Sequence, residues 1–399
     1  MKEKISRKAE EIKDALREFR RDLHQNPELS FEEFRTANKI AQALTQIGLE
    51  VQTGVGKTGV VGLLRGRSGN KTIGLRGDMD ALPVEELNQV PYASRKKGVM
   101  HACGHDGHST IILGAAMVLH SLRAEIPGSV KFIFQPGEES GGKGARGMIE
   151  DGVLKNPDVS AILGVHMWPA PIRLGQIGLN YGPSMAASDS IYLKIKGQGG
   201  HAAMPHMTID PIVIAAQIIN MIQLIASRMT DPLDPVVVSI GLIKGGTRRN
   251  IIANEVELEG TVRTLLPETR IKVKEKIEKI VKGVAEALEG GYELNYVMGV
   301  APTINEPGLT RLVEEAAQEI LGEDQVLRLQ HPHMTGEDFG ALCETIPGTF
   351  IKVGVYSPEK GHVHVLHSPR FDFDEEALVT GVKTVAYAAV KYLSRAHSE

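Results

Sequence analysis

The chain has 399 residues, 42% hydrophobic and 24% charged, which supplies a large core and at this length favours two domains over one. A formal net charge of −4 gives no electrostatic case for nucleic acid or an anionic membrane as partner. Only two cysteines occur, Cys103 and Cys343, which excludes a disulfide framework and points to a reducing, cytoplasmic setting.

The charged N-terminus lacks the apolar core of a signal peptide. Ile5, Ala9, Ile12, Leu16, Phe19 and Leu23 recur at steps of three and four, so the chain is predicted to open with one amphipathic helix. After a turn at His24–Pro27, Ser30 with Glu33 has the form of a capping box for a second helix ending near Gly48. Short β-rich runs then follow at 60–64, 72–75, 130–134 and 161–165, with a helical pattern over 109–123. Such alternation predicts a layered α/β domain whose working groups sit beyond the strands' carboxyl ends. Asp78 and Asp80, Glu138 and Glu139, and His166 fall at those places.

Ile191, Leu193 and Ile195 alternate with polar residues and predict a half-buried strand. Asp210-Pro211 starts a helix whose apolar run, 212–226, is broken by Gln217, Asn220 and Gln223, a polar stripe that argues for a helix of a water-soluble domain rather than a membrane span. Strands at 235–243 and 255–263, a helix from Pro267 to Gly290-Gly291, and a strand at 292–298 complete the order β-α-β-β-α-β, the ferredoxin-like unit. The fold class is therefore α/β, a layered mixed-sheet domain with an inserted ferredoxin-like α+β domain of about 110 residues. The expected divisions are 1–185, 186–299 and 300–399. The last part returns to α/β with helices from Pro307, near Glu337 and from Asp374, and a strand at 349–355.

The segment His101-Ala-Cys103-Gly-His105-Asp106-Gly-His108 packs three histidines, a cysteine and an aspartate around two glycines, which let the backbone turn and bring neighbouring side chains to one centre. Cys103 and His105 suit zinc or a similar divalent metal, whereas a lone histidine is more often a satisfied polar group. Gln135-Pro-Gly-Glu138-Glu139 offers adjacent carboxylates. One can bind metal while its neighbour takes a proton from water, whose pKa a catalytic zinc lowers to about 7; the bland reading is a solvated acidic turn. Asp80 can orient His105 or a neighbour by accepting from its other ring nitrogen; Asp78 is as readily a capped strand end. His166 and His367 are each weak evidence alone.

Taken together, residues 76–83, 100–108, 135–139, 164–166, 199–206 and 367–371 resemble the amidohydrolase branch of the aminoacylase and carboxypeptidase metallopeptidase superfamily, in order from about Arg21 to Phe371. That branch includes hippurate hydrolases, N-acyl-amino-acid amidohydrolases, thermostable carboxypeptidases and auxin–amino-acid hydrolases. The resemblance implies that Cys103, His105, Glu139, His166 and His367 bind one or two divalent ions (zinc, with manganese, cobalt or nickel as alternatives) and that Glu138 is the general base. It also implies that the inserted domain is a lid that pairs chains into a homodimer or a dimer of dimers and lends His201, often across the subunit boundary, to the reaction as oxyanion donor, with Asn250 and Arg263 as candidates for holding substrate. His206 and Glu337-Asp338 fall in similar stretches without an assigned role. The chain departs from its relatives in two places: Gly137 stands where many carry alanine, and Asp78 stands where distant members carry a histidine.

The expected function is hydrolysis of N-acyl-L-amino acids, or removal of C-terminal residues from short peptides. Two alternatives are a cysteine-nucleophile hydrolase using Cys103, which would survive chelators, and a non-catalytic metal- or peptide-binding module of the same fold. The first leaves the Glu138-Glu139 pair without a task, and the second leaves Glu138 beside a ligand set for no reason.

Overall fold

In this computed structural model the opening apolar period forms two helices instead of one, α1 (Lys2–Glu11) and α2 (Lys13–Gln25), because Ile12 at φ −97° and ψ 3° leaves the helical region. Residues 1–395 are described, without the side chains of 68–70. The chain divides into two compact units, Met1–Ser184 with Ile304–His331 and Asp338 onward, and Met185–Thr303 with Pro332–Glu337.

In the first unit α3 (Phe34–Ile47) follows, closed by Gly48 at φ 95°. The capping box does not form. Ser30 Oγ donates instead to Asp80 Oδ2 at 2.7 Å, and buried Glu33 turns inward to accept from Phe31 N at 2.8 Å, Gly137 N at 2.9 Å and the Thr58 hydroxyl. A tertiary partner 104 residues away has taken the side chain that local spacing assigned to the cap.

The strands β1 (Glu50–Val55), β2 (Gly59–Arg65), β3 (Ser68–Asp78), β4 (Pro127–Gln135), β5 (Ala161–Arg173) and β6 (Ile177–Leu179) alternate with α4 (His105–Ser121) and α5 (Lys143–Glu150). They are followed by β7 (Gly182–Met185), and the first unit resumes after the second. With β15 (Val326–Arg328) and β16 (Gly348–Tyr356) from that later part, β1 to β6 build one eight-stranded mixed sheet, in the order β1-β2-β4-β3-β5-β16-β6-β15. The pairs β3–β4, β3–β5 and β5–β16 are parallel, so the ends of β3 and β4 lie side by side. Helix α4 is buried on nearly every side, its apolar residues Ile111, Ile112, Ala115 and Leu119 joining the core with Leu16, Leu75, Phe132 and Val382. At about 1.5–3 kcal/mol for each fully buried large apolar side chain, this cluster can hold polar groups in place at one end of the helix.

The second unit runs β8 (Ala187–Lys196), β9 (Gly200–His201), α6 (Pro211–Arg228), β10 (Val236–Gly245), β11 (Ile251–Ile252), β12 (Glu255–Thr264), α7 (Pro267–Ala287) and β13 (Gly291–Val300). Its four-stranded sheet, ordered β10-β12-β8-β13, is antiparallel throughout, which is the ferredoxin-like arrangement. Helix α6 is capped by Asp210, which accepts from Ile212 N. It is long and apolar enough by composition to cross a membrane. Yet its Ile214, Ile218, Ile222 and Ile225 are buried with Val273, Ile277 and Val281 of α7, while Gln217, Asn220 and Gln223 are exposed. The first unit then resumes with β14 (Thr303–Asn305), which pairs with β7, and continues through α8 (Pro307–Leu321), β15 (Val326–Arg328), α9 (Phe339–Cys343), β16 (Gly348–Tyr356) and α10 (Glu376–Ser394).

Candidate metal centre

Helix α4 begins at His105, and Gly104 before it adopts φ 89°, the left-handed turn that lets Cys103 and His105 approach one place. Gly107 serves a different need from the one its spacing suggested. It is helical, and a Cβ there would come within 2.6 Å of Met167 Cε and 2.7 Å of Phe373 Cζ, so it permits close packing instead of a turn.

Five side chains from four segments of the first unit converge. Cys103 Sγ lies 3.5 Å from His166 Nε2 and 3.3 Å from His367 Nε2. Glu139 Oε1 is 3.2 Å from His367 Nε2 without a hydrogen bond. The donor atoms form overlapping sets, each within 4.8 Å: Cys103–His105–His166, Cys103–Glu139–His367 and His105–Glu138–Glu139.

The ring nitrogens are oriented from behind. His166 Nδ1 donates to the Met167 carbonyl at 2.7 Å, which leaves a lone pair on Nε2. His105 Nδ1 donates to Asp80 Oδ1 at 3.2 Å, and its Nε2 is buried without a partner. An orphaned buried imidazole nitrogen is costly, and one pointed at a thiol, two imidazoles and two carboxylates fits a divalent cation. Burial, with the neighbouring His108, holds His166 well below the usual imidazole range, so it is an uncharged donor at neutral pH. Burial pushes the Cys103 thiol well up, the reverse of what an activated nucleophile requires.

The turn that carries the two glutamates is held by carboxylates. Asp80 accepts from Glu138 N at 3.2 Å and Glu139 N at 3.0 Å, so one side chain fixes both backbone positions and also His105. Gly137 at φ 61° leaves room for the Phe31 ring, which a Cβ would meet at 2.6 Å. His367 has φ 65°, uncommon for a side-chain-bearing residue, and is anchored by its N–H to the Ala102 carbonyl at 2.8 Å. Its partner across the site differs from expectation in setting: His166 lies within β5, which runs on to Arg173, and not at a strand end.

Of the other residues of the opening segment, His108 lies within 4.8 Å of His105 and Asp78 in a further set of donor atoms, but its ring is already engaged. His108 is satisfied, Nδ1 against Asp78 Oδ1 at 2.6 Å and Nε2 accepting from Met167 N at 2.7 Å. Asp78 is further taken by Arg76 at 2.8 Å. Asp106 receives Arg20 Nε at 2.7 Å and His24 Nδ1 at 2.8 Å; burial opposes its charge, but these two partners hold it well below the carboxylate range. Arg20 also reaches Asp372 at 2.8 Å and lies 3.5 Å from Glu375. His101 is buried, and its pKa is pushed down to about 4 by that burial.

Sequence reasoning missed Arg20, His24, Glu33 and Arg76. The first two had a signal: they follow Leu16 at helical spacing on the face that Leu16 and Leu23 bury, where a charged residue needs a partner. In the second unit, β9 pairs with β11, placing His201 opposite Ile251 and Ala202 N 3.1 Å from the Asn250 carbonyl. His201 Nδ1 accepts from Ala203 N at 3.1 Å, which leaves the proton on Nε2. His206 is exposed, and Arg263 is half-buried in β12, where its Nη1 donates to the Val262 carbonyl at 3.2 Å.

The chain is similar to known proteins along most of its length. The thermostable carboxypeptidase 2 of Saccharolobus solfataricus is 39% identical over 98% of this chain and 99% of its own. The N-acyl-L-amino acid amidohydrolase of Geobacillus stearothermophilus is 43% identical over 76% of this chain and 81% of its own. A crystal structure from Bacillus subtilis, described as a dinuclear metal-binding peptidase of the M20 family, superposes with a TM-score of 0.84 at 37% identity, covering 96% of this chain and 99% of that one. The family model for peptidase family M20/M25/M40 matches residues 74–391. That span holds every donor of the centre, and the chain belongs to the peptidase family M20/M25/M40, an enzyme family of metal-dependent hydrolases.

Proposed function

We propose that this metal-dependent hydrolase cleaves the amide bond of N-acyl-L-amino acids, or the last peptide bond of short peptides. The observation that carries the reading is the convergence of Cys103, His105, Glu139, His166 and His367 beside Glu138, with His105 Nε2 buried and unpartnered. Relatives named as an amidohydrolase and a carboxypeptidase support the substrate class, since both reactions break an amide next to a free carboxylate.

Two of the donor sets share Cys103 and divide its partners between His105 with His166 and Glu139 with His367, which supports two ions; the thiolate and imidazoles favour zinc. When bound, such ions supply Lewis acidity, polarising the carbonyl and easing deprotonation of water. Glu138 takes the proton of the attacking water and delivers it to the leaving nitrogen. Asp80 keeps His105 in the tautomer that presents Nε2 and holds the amides of Glu138 and Glu139, so base and ligand move as one piece. His201 donates from Nε2 to the developing oxyanion. Asn250 and Arg263 hold the substrate carboxylate, a role supported by the absence of any ion pair to Arg263 among the described residues.

The test is metal-stripped protein refilled separately with Zn²⁺, Mn²⁺, Co²⁺ or Ni²⁺ and assayed on N-acetyl, N-benzoyl and benzyloxycarbonyl amino acids. Turnover of at least one series in a refilled form is expected; refilled protein inert on all of them would sink the substrate assignment.

The second unit, in this reading, is a lid that pairs two chains. Support comes from the apolar residues it leaves exposed on α6 and edge strand β10: Ile212, Val213, Met221 and Leu224, and Val237 and Ile243. Light scattering should give a mass twice that of the chain, and Val213→Glu with Ile243→Lys should halve it; a monomeric parent would refute the pairing. Cys103 and Cys343, which form no disulfide among the described residues, support a reducing, cytoplasmic location.

A further inference from the structure

Arg76 has no part in the reaction described above, yet it is fully buried at the centre of a closed polar network. Its Nε donates to Gln135 Oε1 at 2.9 Å, Nη1 to Asp78 Oδ2 at 2.8 Å and Nη2 to Asp338 Oδ1 at 2.8 Å. Asp338 Oδ1 also accepts from Gln135 Nε2 at 2.7 Å, and its Oδ2 from Ala145 N at 2.9 Å. Both of its oxygens accept, so its position is fixed from three directions by β3, β4 and α5. The backbone N–H of Asp338 in turn donates to Glu138 Oε1 at 3.3 Å.

We propose that Arg76 and Asp338 are positioning residues for Glu138: the ion pair pins the Asp338 amide, and that amide fixes one carboxylate oxygen of the base. The same guanidinium holds Asp78, which lies 3.7 Å from His105 Nδ1 and binds His108. Through Arg76 the strand end behind the metal donors and the segment behind the base are set against each other by two charge-assisted bonds. The network's cost is charge buried away from bulk solvent, which only close pairing offsets. The inference rests on Glu138 being the base.

The experiment is steady-state kinetics with metal analysis on Asp338→Ala, Asp338→Asn and Arg76→Lys, alongside Glu138→Gln. A misplaced base costs about 10²-fold. Asp338→Ala should therefore lose about that factor in kcat, with KM within about twofold and full metal content. Asp338→Asn, which keeps the Oδ1 acceptor for Arg76 and Gln135, should recover part of it. If Asp338→Ala does not fold, the Asn and Lys variants carry the test through the same split between kcat and KM. Folded, metal-loaded variants with kcat within twofold of the parent would overturn the proposal, as would losses that follow metal content. Inactive Glu138→Gln beside fully active Asp338 variants would reject the positioning role alone. An active Glu138→Gln would reject the reading of Glu138 and this inference with it.

Discussion

Glu138→Gln should lower kcat by about 10²–10⁴, the usual contribution of a positioned general base, while metal content and fold stay those of the parent. Glutamine has nearly the same shape and keeps an oxygen for the Asp338 amide. The turn itself is held by the backbone bonds to Asp80 and by Glu33 on Gly137, none of which uses the Glu138 side chain. What is lost is the capacity to take and return a proton. Single-turnover assays with metal quantified in the same samples make the comparison, and unchanged turnover in loaded protein would discard the mechanism. Neither the cysteine-nucleophile scheme nor a binding module predicts this loss.

Removing the metal should abolish turnover, lower Tm and expose Cys103 to alkylation, with zinc restoring all three. A ligand held at a hundred times its dissociation constant stabilises a protein by about 2.7 kcal/mol, so the shift in Tm is large enough to read by calorimetry. The pH dependence has a definite sign. Burial pushes the Cys103 thiol up, so the metal-free chain carries a proton there that an incoming ion must displace. Apparent affinity should therefore fall by at least about tenfold for each unit of acidification below the thiol's pKa, since Cys103 releases one proton per binding event. His105, whose charge burial opposes but Asp78 holds well above the usual imidazole range, adds to the slope. Competition against a chelator of known affinity, repeated between mildly acidic and mildly alkaline pH, measures the slope. A flat profile would remove Cys103 thiolate from the donor set, and activity in fully stripped protein would remove the metal from the mechanism.

Much of the layout was legible because the chemistry sits where strands end. Asp78, Asp80, Glu138 and Glu139 follow β3 and β4, and both boundaries are marked in the sequence by the change from β-branched or aromatic residues to aspartate, proline and glycine. The ferredoxin-like order could be read for a similar reason: Ile191, Leu193 and Ile195 alternate because only one face of that sheet is covered by helices. The break at Ile12 was not legible, since the apolar stripe continues across it in register. Glu33 and Ser30 misled because a capping box and a tertiary anchor need the same residue types, and only the fold decides which donors arrive. His166 lies in mid-strand because β5 is paired on past it by β16, a register that involves residues nearly two hundred positions away in the chain.

Arg20 binds Asp106, one residue beyond His105, and also Asp372 and Glu375, which lie just after His367. Residues far apart in the sequence, on α2, on α4 and in the segment 372–375, are thus needed to close one buried cluster. A nascent chain exposes Cys103 roughly 260 residues before His367 is made, an interval of about 13–50 s at ordinary elongation rates of about 5–20 residues per second. Over that interval the donor set lacks His367, Arg20 lacks Asp372 and Glu375, and the packing of α10 against α4 has yet to form. Closing the Arg20 cluster and completing the donor set therefore wait on the same late segment, 367–375.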